Sequence, residues 1–142
     1  MAIKIKRFDK ELPLPEYQTA GAAALDLIAR EAVTIEPGKI GYVPLNIAIE
    51  APAGHFFLLA ARSSTHKKGL MLANGIGIVD PDYCGDGDEV KAAFLNFTNE
   101  SVSVARGDRV AQGMFVSFSR AEWNEVDMMN NDTRGGFGST GV

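Results

Sequence analysis

Cysteine, histidine and dense positive charge are scarce in this chain. The single cysteine, Cys84, excludes an internal disulfide and fits a reducing compartment. The two histidines, His55 and His66, stand far from Cys84 in sequence, which argues against a Cys/His zinc centre. The densest basic stretch is His66-Lys67-Lys68, and the net charge is -4. Duplex nucleic acid is therefore not an expected partner, because it demands several phosphate-neutralising Lys or Arg side chains. An anionic substrate would have to be met by a few local cations, backbone N–H groups or a metal. No apolar run approaches the ~18 residues of a membrane span. The opening Met1-Ala2-Ile3-Lys4-Ile5-Lys6 alternates apolar and charged residues and has no signal-peptide core. A cytoplasmic setting without a membrane partner is the expectation.

What is present is an ordinary globular balance. The 142 residues fit one domain with a core of its own, and 46% hydrophobic against 23% charged residues is typical of such a domain. Period-2 alternation recurs. Ile3 and Ile5 alternate with lysines, and Leu45, Ile47 and Ile49 share one face. Short strand-like runs cover His55–Ala60, Phe94–Phe97, Val102–Val104 and Val110–Phe118. Turn signals separate them, among them Pro37-Gly38, Ala51-Pro52-Ala53-Gly54 and Arg106-Gly107-Asp108. Many short strands with frequent turns predict an all-β barrel or sandwich. One short helix is expected near Ser64–Gly69. The Ala-rich stretch Ala20–Leu25 is read as extended or turn, because Gly21 interrupts it. The Gly/Ser/Thr-rich 132–142 reads as a mobile tail.

Five segments carry chemistry. Asn74-Gly75-Ile76-Gly77-Ile78-Val79-Asp80-Pro81-Asp82-Tyr83 is an apolar run opened by Asn-Gly and closed by Asp-Pro, a strand end that presents two carboxylates and a Tyr. Gly75 and Gly77 leave backbone open to a flat ligand. Arg62-Ser63-Ser64-Thr65 offers a guanidinium and three hydroxyls after an apolar strand; it reads as an anion site or as a helix N-cap beside a surface Arg. Arg134-Gly135-Gly136-Phe137-Gly138-Ser139-Thr140-Gly141 reads as a phosphate-wrapping arm with an aromatic for a base, or as a disordered tail. Asp26, between Leu25 and Leu27, suits a metal–water ligand or a buried ion-pair partner. Gln112 interrupts an apolar strand and needs backbone or ligand partners. Trp123, Met128 and Met129 read as packing residues, and Cys84 as a passive loop thiol.

Taken in order, these segments resemble the trimeric deoxyuridine triphosphatases. All five short motifs of that family have counterparts: Ala20–Leu27, Ala61–Ser64 with Lys68-Gly69-Leu70 downstream, Asn74–Gly85, Gly107–Gln112 and Arg134–Gly141. The resemblance implies a distorted jelly-roll β-barrel over 1–131, with one short helix and a flexible Gly-rich arm over 132–142. It implies a homotrimer with active sites shared between subunits. It implies hydrolysis of dUTP to dUMP and pyrophosphate, which limits uracil in DNA and supplies dUMP for dTMP synthesis. By resemblance, Asp80 activates the attacking water. Asn74 and nearby backbone, Gly77 included, meet the uracil, and Tyr83 packs on the deoxyribose. Arg62, Ser63, Ser64 and Gln112 hold phosphates, and Asp26 reaches Mg²⁺ through water. Phe137 covers the base, while Arg134, Gly138, Ser139 and Thr140 close over the γ-phosphate.

Three positions depart from the family pattern. Ala61 stands where Pro is usual, which would loosen that loop. Asp86-Gly87-Asp88-Glu89 looks like an acidic insertion beside an anionic substrate. Arg134 precedes Phe137 by three residues where five is common. Two other readings share the scaffold. Deoxycytidine triphosphate deaminases have the fold and an Arg-Ser-Ser element, but their Thr-x-Glu segment has no clear counterpart here. A regulatory binding protein could dispense with Asp80 or Phe137, and this chain keeps both.

Overall fold

The computed structural model describes residues 2–139 and 141. Thr140, expected at the end of the arm, lies outside the described residues. Eleven strands run in chain order: β1 Ile5–Arg7, β2 Leu25–Ile28, β3 Val33–Ile35, β4 Ile40–Pro44, β5 Ile47–Ile49, β6 His55–Ala61, β7 Leu70–Leu72, β8 Gly77–Val79, β9 Lys91–Asn96, β10 Val102–Val104 and β11 Arg109–Ser117. All named pairings are antiparallel. One sheet has the order β2-β11-β6-β8 and another β4-β9-β7; β1-β5 and β10-β3 are two-stranded ribbons. The all-β expectation holds. No helix among the described residues is long and apolar enough to cross a membrane.

Side-chain alternation explains how these ribbons close. In β9, Ala92, Phe94 and Asn96 point inward while Lys91 faces solvent. In β6, Phe57 and Leu59 are buried, and they meet Leu27 of β2, Val43 of β4 and Leu70 of β7 in one apolar cluster. The anticipated shared face of Leu45, Ile47 and Ile49 is buried, but Ala48 between them is buried too. β5 is thus covered on both sides, so it reads as a continuous apolar run rather than an alternating one. β3, β4 and β7 had no clear signal, because each is short and mixes one or two exposed residues with buried ones.

β11 contains the irregularity that matters most. Its register against β2 shifts between Arg109 and Ala111, so Val110 and Ala111 are both buried in succession. Such a bulge flips the parity of every later residue. Gln112 therefore leaves the core face and stands opposite Asp26 on the outer face. The expected helix is a single 3-10 turn, Thr65–Lys68, closed by Gly69 at φ 83. Only Gly suits that left-handed turn here, since an added Cβ would also strike Thr98.

Beyond β11 the chain leaves the barrel. No hydrogen bond joins the described residues from Ser119 onward to the rest of the molecule. Trp123 is 92% exposed, and Met128 and Met129 are exposed as well. They do not pack within one chain, contrary to expectation: no strand of the same subunit lies beneath them.

Candidate active site

Two clusters form on the sheet β2-β11-β6-β8. The first lies where β6 ends. Asp26 on β2, Gln112 on β11 and Arg62 just past β6 share the outer face. Arg62 Nε donates to Asp26 Oδ1 at 3.4 Å, and Arg109 Nη1 donates to Asp26 Oδ2 at 3.3 Å. Arg62 Nη1 also donates to the Arg109 carbonyl at 3.2 Å. Asp26, with only 13% of its side chain exposed, is thus an ion-pair partner. Two guanidiniums face one carboxylate, so the cluster keeps one uncompensated positive charge. The Gln112 amide donates one N–H to the Ala61 carbonyl at 2.9 Å, which leaves its second N–H without a partner among the described residues.

Arg62-Ser63-Ser64-Thr65 resolves in a way that neither reading anticipated. Ser64 makes no side-chain capping bond. Thr65 takes the local role instead: its Oγ1 accepts from the Arg62 N–H at 2.9 Å. A four-residue turn has no appreciable macrodipole, so attraction for an anion comes from Arg62 and Arg109. Ala61 does not loosen the segment. It is the last residue of β6, pairs with Ala111 and accepts the Gln112 bond.

The second cluster lies along β8, which pairs with β6 so that Gly77 stands opposite Leu59 and Val79 opposite Phe57. Asn74, Gly77, Asp80 and Tyr83 line an open cleft of about 540 Å³, together with Ile40 and Tyr42 of β4. Among the described residues, neither the Asn74 amide nor the Asp80 carboxylate has an intramolecular hydrogen-bond partner. Both are exposed, so both are free to meet a ligand and water. Gly77 is required by packing as well: an added Cβ would sit 2.9 Å from Leu59 Cβ. Tyr83 donates its phenol proton to the Glu89 carbonyl at 3.1 Å.

The acidic stretch divides in two. Asp86 is exposed, but Glu89 is buried and belongs to the scaffold. Arg30 Nε and Nη2 donate to its two carboxylate oxygens at 2.7 and 3.0 Å. That bond holds the Arg30 guanidinium further into its charged form, against the opposing effect of burial.

Along the strands Arg62 and Asp80 are far apart. Arg62 lies one residue beyond Ala61, and Asp80 lies level with Phe56. Six residues of extended chain separate them, roughly 20 Å at the usual strand rise. The arm residues Arg134, Phe137, Gly138 and Ser139 hydrogen-bond neither cluster, and Phe137 is fully exposed.

The family model described as dUTPase matches residues 10–141. The chain belongs to the dUTPase family. A curated relative named deoxyuridine 5'-triphosphate nucleotidohydrolase, from Desulfitobacterium hafniense, is 44% identical and covers 99% of this chain and 98% of its own. One of the same name from Dictyoglomus turgidum is 39% identical, with 99% and 98% coverage. Among solved structures, the dUTPase of Streptococcus mutans superposes with TM-score 0.76 at 31% identity, over 84% of this chain and 98% of that one. The dUTPase of Staphylococcus bacteriophage 80alpha, solved with dUpNHpp, superposes with TM-score 0.87 at 22% identity over 99% of both chains. Together they bear out the jelly-roll barrel. A mutant phage phi11 dUTPase, 19% identical, is described as coordinating a structural Mg(II) ion.

Among the described residues no group of three or more His, Cys, Asp or Glu could cage a metal. The donor set fits a different kind of site. Mg²⁺ keeps several waters and is commonly held by one or two carboxylates plus substrate phosphates. Asp26, bonded only loosely to its two arginines, is such a carboxylate.

Sequence reasoning missed Arg109, Arg30 and Glu89. Arg109 stood within a quoted motif, but only the bulge after it puts Arg109 and Gln112 around one carboxylate. Nothing in the sequence pairs Arg30 with Glu89, which is 59 residues away.

Proposed function

We propose that the protein hydrolyses dUTP to dUMP and pyrophosphate in a site built from both clusters. Asp80 carries this reading: an unpartnered carboxylate beside Asn74 and Tyr83 in a nucleoside-sized cleft. It accepts a proton from a water that attacks the α-phosphorus. The new P–O bond forms as the bond to the bridging oxygen breaks, and pyrophosphate leaves. Arg62, Ser63, Ser64 and Gln112 hold the phosphate oxygens, and Arg62 offsets charge that builds on the leaving group. Asp26 receives Mg²⁺ through water; when bound, the ion neutralises triphosphate charge.

Asn74 and the backbone at Gly77 meet the uracil edge. Tyr83 lies against the deoxyribose and excludes a 2′-hydroxyl. The arm after residue 132 completes the site: Phe137 covers the base, and Arg134, Gly138 and Ser139 approach the γ-phosphate. The separation of Asp80 from Arg62 within one chain supports a homotrimer in which neighbours share each site. We place the enzyme in the cytoplasm, where dUMP feeds dTMP synthesis and dUTP is kept from DNA.

The test is a nucleotide panel with Mg²⁺ that scores pyrophosphate and ammonia from dUTP, UTP, dTTP and dCTP. Pyrophosphate from dUTP alone, lost on chelation, is expected. Ammonia from dCTP would move the chain to the deaminases, and no product at all would make it a binding protein.

A further inference from the structure

Tyr83 is latched. The bond from its phenol to the Glu89 carbonyl spans six residues and closes the intervening loop into a ring. Inside the ring, the Gly85 N–H donates to Asp88 Oδ2 at 2.8 Å, and the Asp88 N–H donates to the Gly85 carbonyl at 3.1 Å. At the rim, Lys6 Nζ donates to the Asp86 carbonyl at 2.8 Å. The acidic stretch is therefore the far half of a closed loop rather than a free charged flap.

The ring is fixed to the barrel at Glu89. Only 6% of its side chain is exposed, and the Arg30 fork grips both carboxylate oxygens. Its Oε2 also accepts from the Asn46 N–H at 2.9 Å. Asn46 sits at φ 70, a conformation stabilised by two side-chain bonds to the Asp9 backbone. The next residue, Val90, is hydrogen-bonded on both its N–H and its carbonyl to the β4–β5 chain.

We propose that Glu89 is a positioning residue for sugar selection. Anchored by Arg30 and Asn46, it fixes the carbonyl on which the Tyr83 phenol rests, and so holds the ring against the 2′ position of the sugar. This rests on the reading of the cleft as the deoxynucleotide site. A ring held at both ends cannot swing away from a 2′-hydroxyl, whereas a ring held only at Cβ can. Selectivity then comes from rejecting the wrong sugar, with the ordering of the ring settled before substrate arrives.

The experiment measures kcat/KM for dUTP and UTP with the wild type, Glu89→Gln, Tyr83→Phe and the double variant. Each single change is expected to lower the dUTP/UTP ratio about tenfold, the scale of one lost hydrogen bond. The change appears mainly as a lower KM for UTP. The double variant should be no worse than the worse single one, because both changes break one latch. An unchanged ratio in Glu89→Gln with a lowered Tm would overturn the proposal and assign Glu89 to stability alone. Multiplying losses in the double variant would overturn it too. If Glu89→Gln does not fold, Arg30→Lys keeps the charge, loses the fork and is read in the same way. A wild type that leaves dUTP intact would overturn the functional reading and this proposal with it. A selective wild type with an unaltered Glu89→Gln ratio would overturn this proposal alone.

Discussion

Two inactive variants of this protein should restore each other's activity. Asp80 must lie within hydrogen-bond reach of a water that attacks the same triphosphate Arg62 holds. Along one chain they stand at opposite ends of β6, roughly 20 Å apart. No side-chain rotation closes that gap, so the proposed mechanism needs Asp80 of one subunit to serve the Arg62 cluster of the next. Asp80→Asn alone should cost about 10² to 10⁴ in turnover, the usual worth of a general base. Arg62→Ala should be similarly deficient through lost charge stabilisation. In a ring of head-to-tail contacts, each interface draws Asp80 from one subunit and Arg62 from its neighbour. After random exchange of an equal mixture, half the subunits supply each intact residue. About one interface in four is then fully intact, so activity should return to about a quarter of wild type. The assay is pyrophosphate release from the mixture, with exchange verified by fluorescent labels on the two variants. Verified exchange without recovered activity would refute the shared site and require the two clusters to meet within one chain.

Deleting residues 132–142 should lower turnover about a hundredfold by leaving the bound nucleotide poorly oriented, as pyrophosphate release would show. Because the described residues of that segment make no hydrogen bond to the barrel, Tm should stay within about 3 °C. Phe57→Ala removes a fully buried ring at the centre of the core and should cost about 3–5 kcal/mol in urea unfolding at fixed protein concentration. Asp9 accepts from Arg106 at 2.7 Å, and that guanidinium, with the Glu11 N–H, holds its carboxyl below the usual carboxylate range. Its stabilising effect is complete above the unfolded-state pKa, near ~4, and is lost as pH falls through the lower folded value. Asp9→Asn should therefore lower Tm at pH 7 and shrink its fall below pH 4; an unaltered acid limb would remove this pair from acid stability.

Much of the site was legible because its chemistry is carried by side chains next to strong local signals. Asp80 and Tyr83 follow an Asn-Gly-opened strand, and Arg62 follows the longest apolar run of β6. Strand existence was readable wherever one face is buried. β5 and the short β3, β4 and β7 were obscured because they are covered on both faces or too brief to show a period. The helix N-cap reading failed for a different reason: Ser64 stands at the cap position but makes no side-chain capping bond, and the hydroxyl that bonds locally is that of Thr65, which accepts from the Arg62 N–H three residues back.

Composition and order alone determined that this chain is all-β, that its site must do without cysteine ligands or a basic tract, and which motifs it carries. These follow from periodicity, turn chemistry and residue type, which act over a few positions. Only the tertiary structure decided the rest. A bulge in β11 turns Gln112 outward to face Asp26, and Arg109 of β11 with Arg62 just past β6 leaves a net positive charge there. Arg30 reaches across 59 residues to bury Glu89 beneath the Tyr83 loop. The antiparallel register of β6 with β8 sends Asp80 and Arg62 to opposite ends of one strand. Register, bulge and long-range ion pair depend on which surfaces meet in space, and no window of sequence contains that information.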